Sequence, residues 1–172
     1  MEKDEQQIIL EQFRDYVIQQ ARSNLSKLKK NSSRKLYESI KGEIKVMPNS
    51  LRVYFDMEEY GFFQDKGVSG TKRKYDTPFS YTNKMPPPKA FDKWMVKKGI
   101  APRNKAGKFQ TRKGLQFAIA RSIFEKGIKP SLFFTKPFEK AFKNLPNEMV
   151  EAYGLEAEET FDTIMKENFK NI

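Results

Sequence analysis

Three groups of residues could do chemistry by their type and spacing. Asp56, Glu58 and Glu59 set three carboxylates close together, a cluster of the kind that holds Mg²⁺ or moves a proton. No spaced partner cluster, phosphate loop or glycine-rich fingerprint accompanies it, so it reads as a solvated turn. Gly67-Val68-Ser69-Gly70-Thr71-Lys72 puts glycines near a lysine but lacks the spacing of a phosphate-cradling P-loop, and reads as a flexible loop. The third group is the most promising. Lys72-Arg73-Lys74-Tyr75 and Arg103-Asn104-Lys105, with Lys108, Arg112 and Lys113, are basic runs interleaved with aromatics. Such loops neutralise phosphates without reading sequence, or meet an acidic protein surface. The candidate contact residues, for a protein partner or for DNA, are therefore Lys72, Arg73, Lys74, Arg103, Lys105, Lys108, Arg112 and Lys113.

Composition removes most other chemistry. The 172 residues contain no Cys and no His, which excludes from this chain disulfides, Cys/His zinc sites, imidazole bases, thiol nucleophiles and Ser-His-Asp triads. No catalytic, cofactor-binding or metal-binding residue is assigned, no cofactor is expected, and the chain is not expected to be an enzyme. Fifteen Phe, seven Tyr and one Trp are too many for a disordered chain and predict an aromatic core under a charged skin. No stretch approaches the roughly 18 to 20 apolar residues of a membrane span. Met1-Glu2-Lys3-Asp4-Glu5 is acidic where a signal peptide would be basic, then apolar. A soluble protein made in the cytoplasm, without a membrane partner, is the expectation.

The formal charge of +11 is unevenly spread. Residues 1–59 carry 11 basic and 10 acidic side chains, residues 60–145 carry 20 and 5, and residues 146–172 carry 2 and 7. A basic middle followed by an acidic end suits head-to-tail contact between copies, or contact with an acidic partner such as nucleic acid. The aromatics Phe91 and Trp94, with Met95, recur at helical spacing and read as core.

The elements that must position these residues follow from periodicity. Ile9, Phe13, Tyr16, Val17, Ala21, Leu25 and Leu28 recur at steps of three or four, so Asp4 to Lys30 is predicted to be a long amphipathic helix. Ser33 could cap a short helix through Arg34 to Ile40. Residues 43–47 and 51–55 alternate with period two around Pro48-Asn49-Ser50, which predicts a β-hairpin with one wet face. Tyr60 to Gly67 is an aromatic segment whose Tyr60, Phe62 and Phe63, with Phe133, Phe134 and Phe138, are expected in the core, and residues 66–86 read as a long exposed loop. Pro86-Pro87-Pro88 can open a helix through Lys98 that Gly99 ends, residues 101–107 form a second basic loop, and Arg112 to Lys126 is helical again. Leu132-Phe133-Phe134 reads as a short strand, Thr135 as an N-cap, and Pro137 as first-turn proline of another helix. Glu148 to Phe169 reads as a terminal acidic helix.

The order of these parts resembles the HK97 gp10-like family of tailed-phage neck and tail-completion (head-tail connector) proteins. The likeness rests on Leu36, Ser39 and Ile40 after the first helix, Tyr60 and Gly67 before a long loop, and Pro137, Phe138 and Ala141 at a late helix start. It covers about residues 5–145. Arg34 or Lys35 stands where a Gly is usual, Asp65 rather than Glu precedes the Gly, and residues 86–128 form an insertion with two extra helices. The resemblance implies an α+β subunit of about residues 1–145: a long N-terminal helix and C-terminal helices packed on a small antiparallel β-sheet, with long basic loops. Residues 146–172 would be an acidic C-terminal helical extension. The implied role is that of a virion structural protein at the head-tail junction, a non-catalytic subunit of a homo-oligomeric ring that meets other neck, portal or tail proteins. The loops at 66–86 and 99–112 would be arms that order on assembly, with non-specific contact to DNA. The alternative is a small basic nucleic-acid-binding protein.

Overall fold

The computed structural model describes residues 3–29, 34–47, 50–101, 103, 106–108 and 111–147. The chain is α+β. The described residues divide into two compact units, one made of those up to Gly61 together with those from Leu132 on, the other of those between Phe62 and Ser131. The helices expected within 86–128 lie in the second unit.

In the first unit, α1 (Lys3–Lys27) buries Leu10, Phe13, Val17, Ala21 and Leu25, successive steps of three or four that lay one stripe along the core. Ile9 and Tyr16 sit at the edge of that stripe and Leu28 is exposed. The short helix α2 (Lys35–Ser39) ends where Arg22 Nε donates to the Tyr37 carbonyl and a terminal Arg22 nitrogen to that of Ile40, supplying partners that a helix C-terminus otherwise lacks. Ser33, Pro48-Asn49 and Glu148 to Phe169, which carry the expected cap, turn and acidic helix, lie outside the described residues.

Strands β1 (Lys41–Met47) and β2 (Ser50–Asp56) pair antiparallel in a register that sets Gly42 opposite Phe55 and Ile44 opposite Val53. These four form the inner face. Gly42 is needed there because a Cβ would come within 2.6 Å of Arg14 Cγ, so α1 lies directly on the strand. Lys41, Glu43, Lys45, Arg52 and Asp56 face solvent, the wet side that the alternation predicts.

Leu132-Phe133-Phe134 is not a strand. Leu132 has φ 50° and the two phenylalanines form a turn entering α6 (Thr135–Lys143). Phe134 occupies the N-cap position with no side-chain cap, and Thr135 is already helical and buried. The run is apolar because it fills the core: Phe133, Phe134 and Phe138 are each no more than 2% exposed. Phe55 meets Phe134 at 5.3 Å and Phe13 meets Phe138 at 5.5 Å, both edge-to-face, the arrangement that ring quadrupoles favour. Asn24 Nδ2 donates to the Phe133 carbonyl at 3.1 Å, fixing the turn to α1.

In the second unit, Phe62 is buried and Phe63 packs edge-to-face on Phe79 at 4.8 Å. The helix α3 (Tyr60–Lys66) spans the point where the chain leaves the first unit. Tyr60, expected in the core, is 39% exposed because it opens that helix. A 3₁₀ turn (Pro88–Phe91) leads into α4 (Asp92–Lys97), where Met95 is buried but Trp94 is 39% exposed. Adjacent positions of a helix point about 100° apart, and it is Met95 that turns inward. α5 (Arg112–Lys126) is capped by Thr111, whose side chain accepts from the Gly114 amide. Its most buried residues are Gln116 and Ala120, not the aliphatic Leu115, Ile119 and Ile123, which are half-buried. Gln116 tolerates burial because its Nε2 donates to Asp92 Oδ1.

Candidate functional site

The basic residues singled out by sequence all belong to the second unit. Residues 62–131 hold 17 basic against 4 acidic side chains, whereas the remainder holds 16 against 18. The excess positive charge of the protein therefore sits on that unit. Two of its four carboxylates are neutralised by neighbours: Asp92 pairs with Arg112 at 2.6 Å, and Glu125 accepts from both Lys72 and Arg121. Asp65 is buried, and Asp76 is exposed.

The loop that carries Lys72, Arg73 and Lys74 is anchored rather than flexible, which corrects the expectation of a free arm over 66–86. Its base is held by Val68 and Ile128, which exchange backbone hydrogen bonds at 2.9 and 2.8 Å. Three successive loop amides then close on the end of α5. The amide of Thr71 donates to the Phe124 carbonyl at 2.9 Å, and those of Lys72 and Arg73 donate to Glu125 at 2.9 and 3.2 Å. The last carbonyls of a helix lack intrahelical partners, and here the loop supplies them. The buried Ser69 side chain donates to the Tyr75 carbonyl and accepts from the Tyr75 amide, pinning both ends of the basic tip. Thr77 Oγ1 adds a bond to the Gly67 carbonyl at 3.0 Å.

Glycine makes this docking possible. A Cβ on Gly70 would lie 2.3 Å from the Glu125 carbonyl oxygen, and one on Gly67 would lie 2.6 Å from that of Ile128. The glycines near Lys72 thus serve close backbone approach, not phosphate binding.

At the tip, Lys72 Nζ reaches Glu125 Oε2 at 2.9 Å, and Arg121 Nε reaches the other oxygen at 3.0 Å. The bond from Lys72, then that from Arg121, holds the Glu125 carboxyl below the ordinary carboxylate range. Arg73 stacks over the Tyr75 ring at 5.2 Å, and Lys74 is exposed. The Lys72 ammonium, bonded to Glu125 in the last turn of α5, sits near the negative end of the helix dipole, a favourable placement.

Arg112 and Lys113 stand at the opposite end of α5. Thirteen residues separate Arg112 from Glu125, or about 20 Å along a helix, so the eight predicted residues do not form one patch. Arg112 is held by Asp92, and Lys113 is exposed. Arg103 and Lys108 are exposed in the preceding segment, and Lys105 lies outside the described residues. Sequence reasoning missed Glu125, Arg121 and Phe117. Glu125 could have been noticed as the lone acid between residues 93 and 138, and Phe117 and Arg121 by successive four-residue steps from Lys113.

Elsewhere, an open groove along α1 is lined by Asp15, Gln19, Arg22, Ser23, Ser26 and Tyr37, where Asp15 and Arg22 are already engaged by neighbours. Asp56, Glu58 and Glu59 build no metal site: among the described residues no group of three or more acidic side chains is placed to hold an ion, and Glu58 pairs with Lys35 at 2.9 Å. No helix among the described residues is long and apolar enough to cross a membrane. No known family, curated protein or solved structure matches the chain.

Proposed function

We propose that this protein is a structural subunit of a tailed-phage virion, a head-tail connector, neck or tail-completion protein that assembles into a ring by protein-protein contacts. The observation that carries the reading is the partition of charge. One unit of 70 residues holds the entire positive excess, and the segment 146–172 holds a net negative charge. Closed rings need one surface of a subunit to meet a different surface of the next, and opposite charges on separate parts of a chain suit such heterologous contact. The subunit does no covalent chemistry in this role. It acts in the virion head-tail region after synthesis in the bacterial cytoplasm, alongside other neck, portal or tail proteins.

A second reading, a small basic nucleic-acid-binding protein, draws on the tip at 71–75, where an anchored loop offers cations beside the Tyr75 ring. Light scattering of the purified chain at low and high salt, with and without a short duplex DNA, separates the two. A ring-sized species that dissociates in salt supports the connector. A monomer that binds DNA with steep salt dependence replaces it with the second reading.

A further inference from the structure

We propose that the outward face of α5, formed by Lys113, Phe117 and Arg121, is the docking site for the acidic C-terminal segment, residues 148–172, of a neighbouring copy. The inference rests on the ring reading above and names the segment that would close each contact.

The face is defined by burial. Gln116 and Ala120 turn α5 inward, and Lys113, Phe117 and Arg121, spaced four residues apart, lie on the exposed side. Side chains at that spacing are neighbours, so the helix presents a cation, an aromatic ring and a second cation in line. Phe117 is 51% exposed, with exposed Gly114 and Ala118 beside it. Arg121 keeps 65% of its side chain accessible even while its Nε is donated to Glu125. Lys113 stands in the first turn, where the helix dipole repels a cation. Its placement there has no local electrostatic benefit and suits an acidic partner.

Charge within the chain points to one occupant. Residues 148–172 carry seven acidic and two basic side chains, whereas residues 1–61 with 132–147 carry 14 basic and 11 acidic. The terminal segment is thus the concentrated source of negative charge. It also interleaves its carboxylates with large apolar residues, among them Tyr153, Leu155, Phe161 and Ile164. Carboxylates can meet the two cations while an apolar side chain covers Phe117, the pattern of an apolar centre with a charged rim.

The test uses full-length chains. K113E/R121E reverses the face, and E156K/E158K/E159K reverses the segment. Each variant should weaken self-association at low salt by about tenfold or more, and so should Phe117→Ser, with melting curves confirming that all three fold. An equimolar mixture of the two charge-reversed proteins should associate again, because each then finds its complement on the other. Association unchanged by either reversal, failure of the mixture to recover, or a wild-type chain that stays monomeric at every concentration overturns the inference. So does a loss of DNA affinity in K113E/R121E with self-association intact. A ring indifferent to these charges removes the inference but leaves the connector reading. Charge-dependent association that never closes into a ring does the reverse.

Discussion

Gly70 and Gly127 cross with no room for a side chain on either. A Cβ on Gly70 would lie 2.5 Å from the Gly127 nitrogen, and a Cβ on Gly127 would lie 2.6 Å from the Gly70 nitrogen and 2.1 Å from the Val68 carbonyl oxygen. The crossing lets the basic loop reach the carbonyls at the end of α5. Gly127→Ala should cost about 2–4 kcal/mol, combining backbone clash with left-handed strain, since its φ is 74°. Gly99 has a similar φ of 62° but open space around it, so Gly99→Ala should cost only about 1–2 kcal/mol. Denaturant midpoints of the two variants check the contrast, and equal losses would refute the crowding argument.

Phe138 lies at the centre of the first unit's aromatic cluster, against Phe13, Phe55, Phe134 and Phe142. Phe138→Ala should destabilise by about 3–5 kcal/mol. Phe117→Ala, on the exposed face of α5, should stay within about 0.5 kcal/mol of wild type. Thermal melts of both proteins decide this.

Asp92 holds Gln116 and Arg112 together. Asp92→Ala leaves the buried Gln116 amide without that acceptor and should cost about 1–3 kcal/mol. Gln116→Leu combined with Asp92→Ala removes the orphaned donor, so the double variant should recover part of the loss in urea unfolding.

The Glu125 carboxyl titrates below its ordinary range because Lys72 and Arg121 bond to its charged form. A depressed native pKa gives stability that is present above the unfolded pKa and lost as pH falls through the native one. The Tm gap between wild type and Glu125→Gln should therefore be widest near neutrality and close below about pH 4. A gap that does not change with pH would show that the ion pairs contribute nothing to stability.

Reversing Arg73 and Lys74 to Glu should leave the Tm nearly unchanged, because both side chains are exposed, while reducing assembly measured by light scattering. Normal assembly of this variant would exclude the 71–74 tip from the contact.

Local periodicity made α1, the hairpin and α5 legible, because each buries a face whose spacing repeats within a few residues. Leu132-Phe133-Phe134 was ambiguous for the opposite reason: three apolar residues are too few to distinguish a strand from a buried turn, and the φ of Leu132 is set by packing. The anchored base at 66–86 was hidden because its partners, residues 124–128, lie about fifty residues away in sequence. Trp94 and Tyr60 were misplaced in the core because aromatic type says little about which side of a one- or two-turn helix meets the interior. Among the candidate contacts, the basic residues were readable from composition, but their separation to opposite ends of α5 depended on the helix between them.

The discontinuity of the first unit bears on how the chain emerges from the ribosome. Phe13 and Asn24 find their partners in Phe138 and Phe133, which are synthesised more than a hundred residues later. Residues 62–131 have all their internal partners by the time Ser131 is made, where its amide bonds back to Gln64 and Asp65. Vectorial synthesis thus completes the inserted unit first, and the part of the α1 stripe that meets α6, rather than the hairpin, must stay uncovered until α6 arrives.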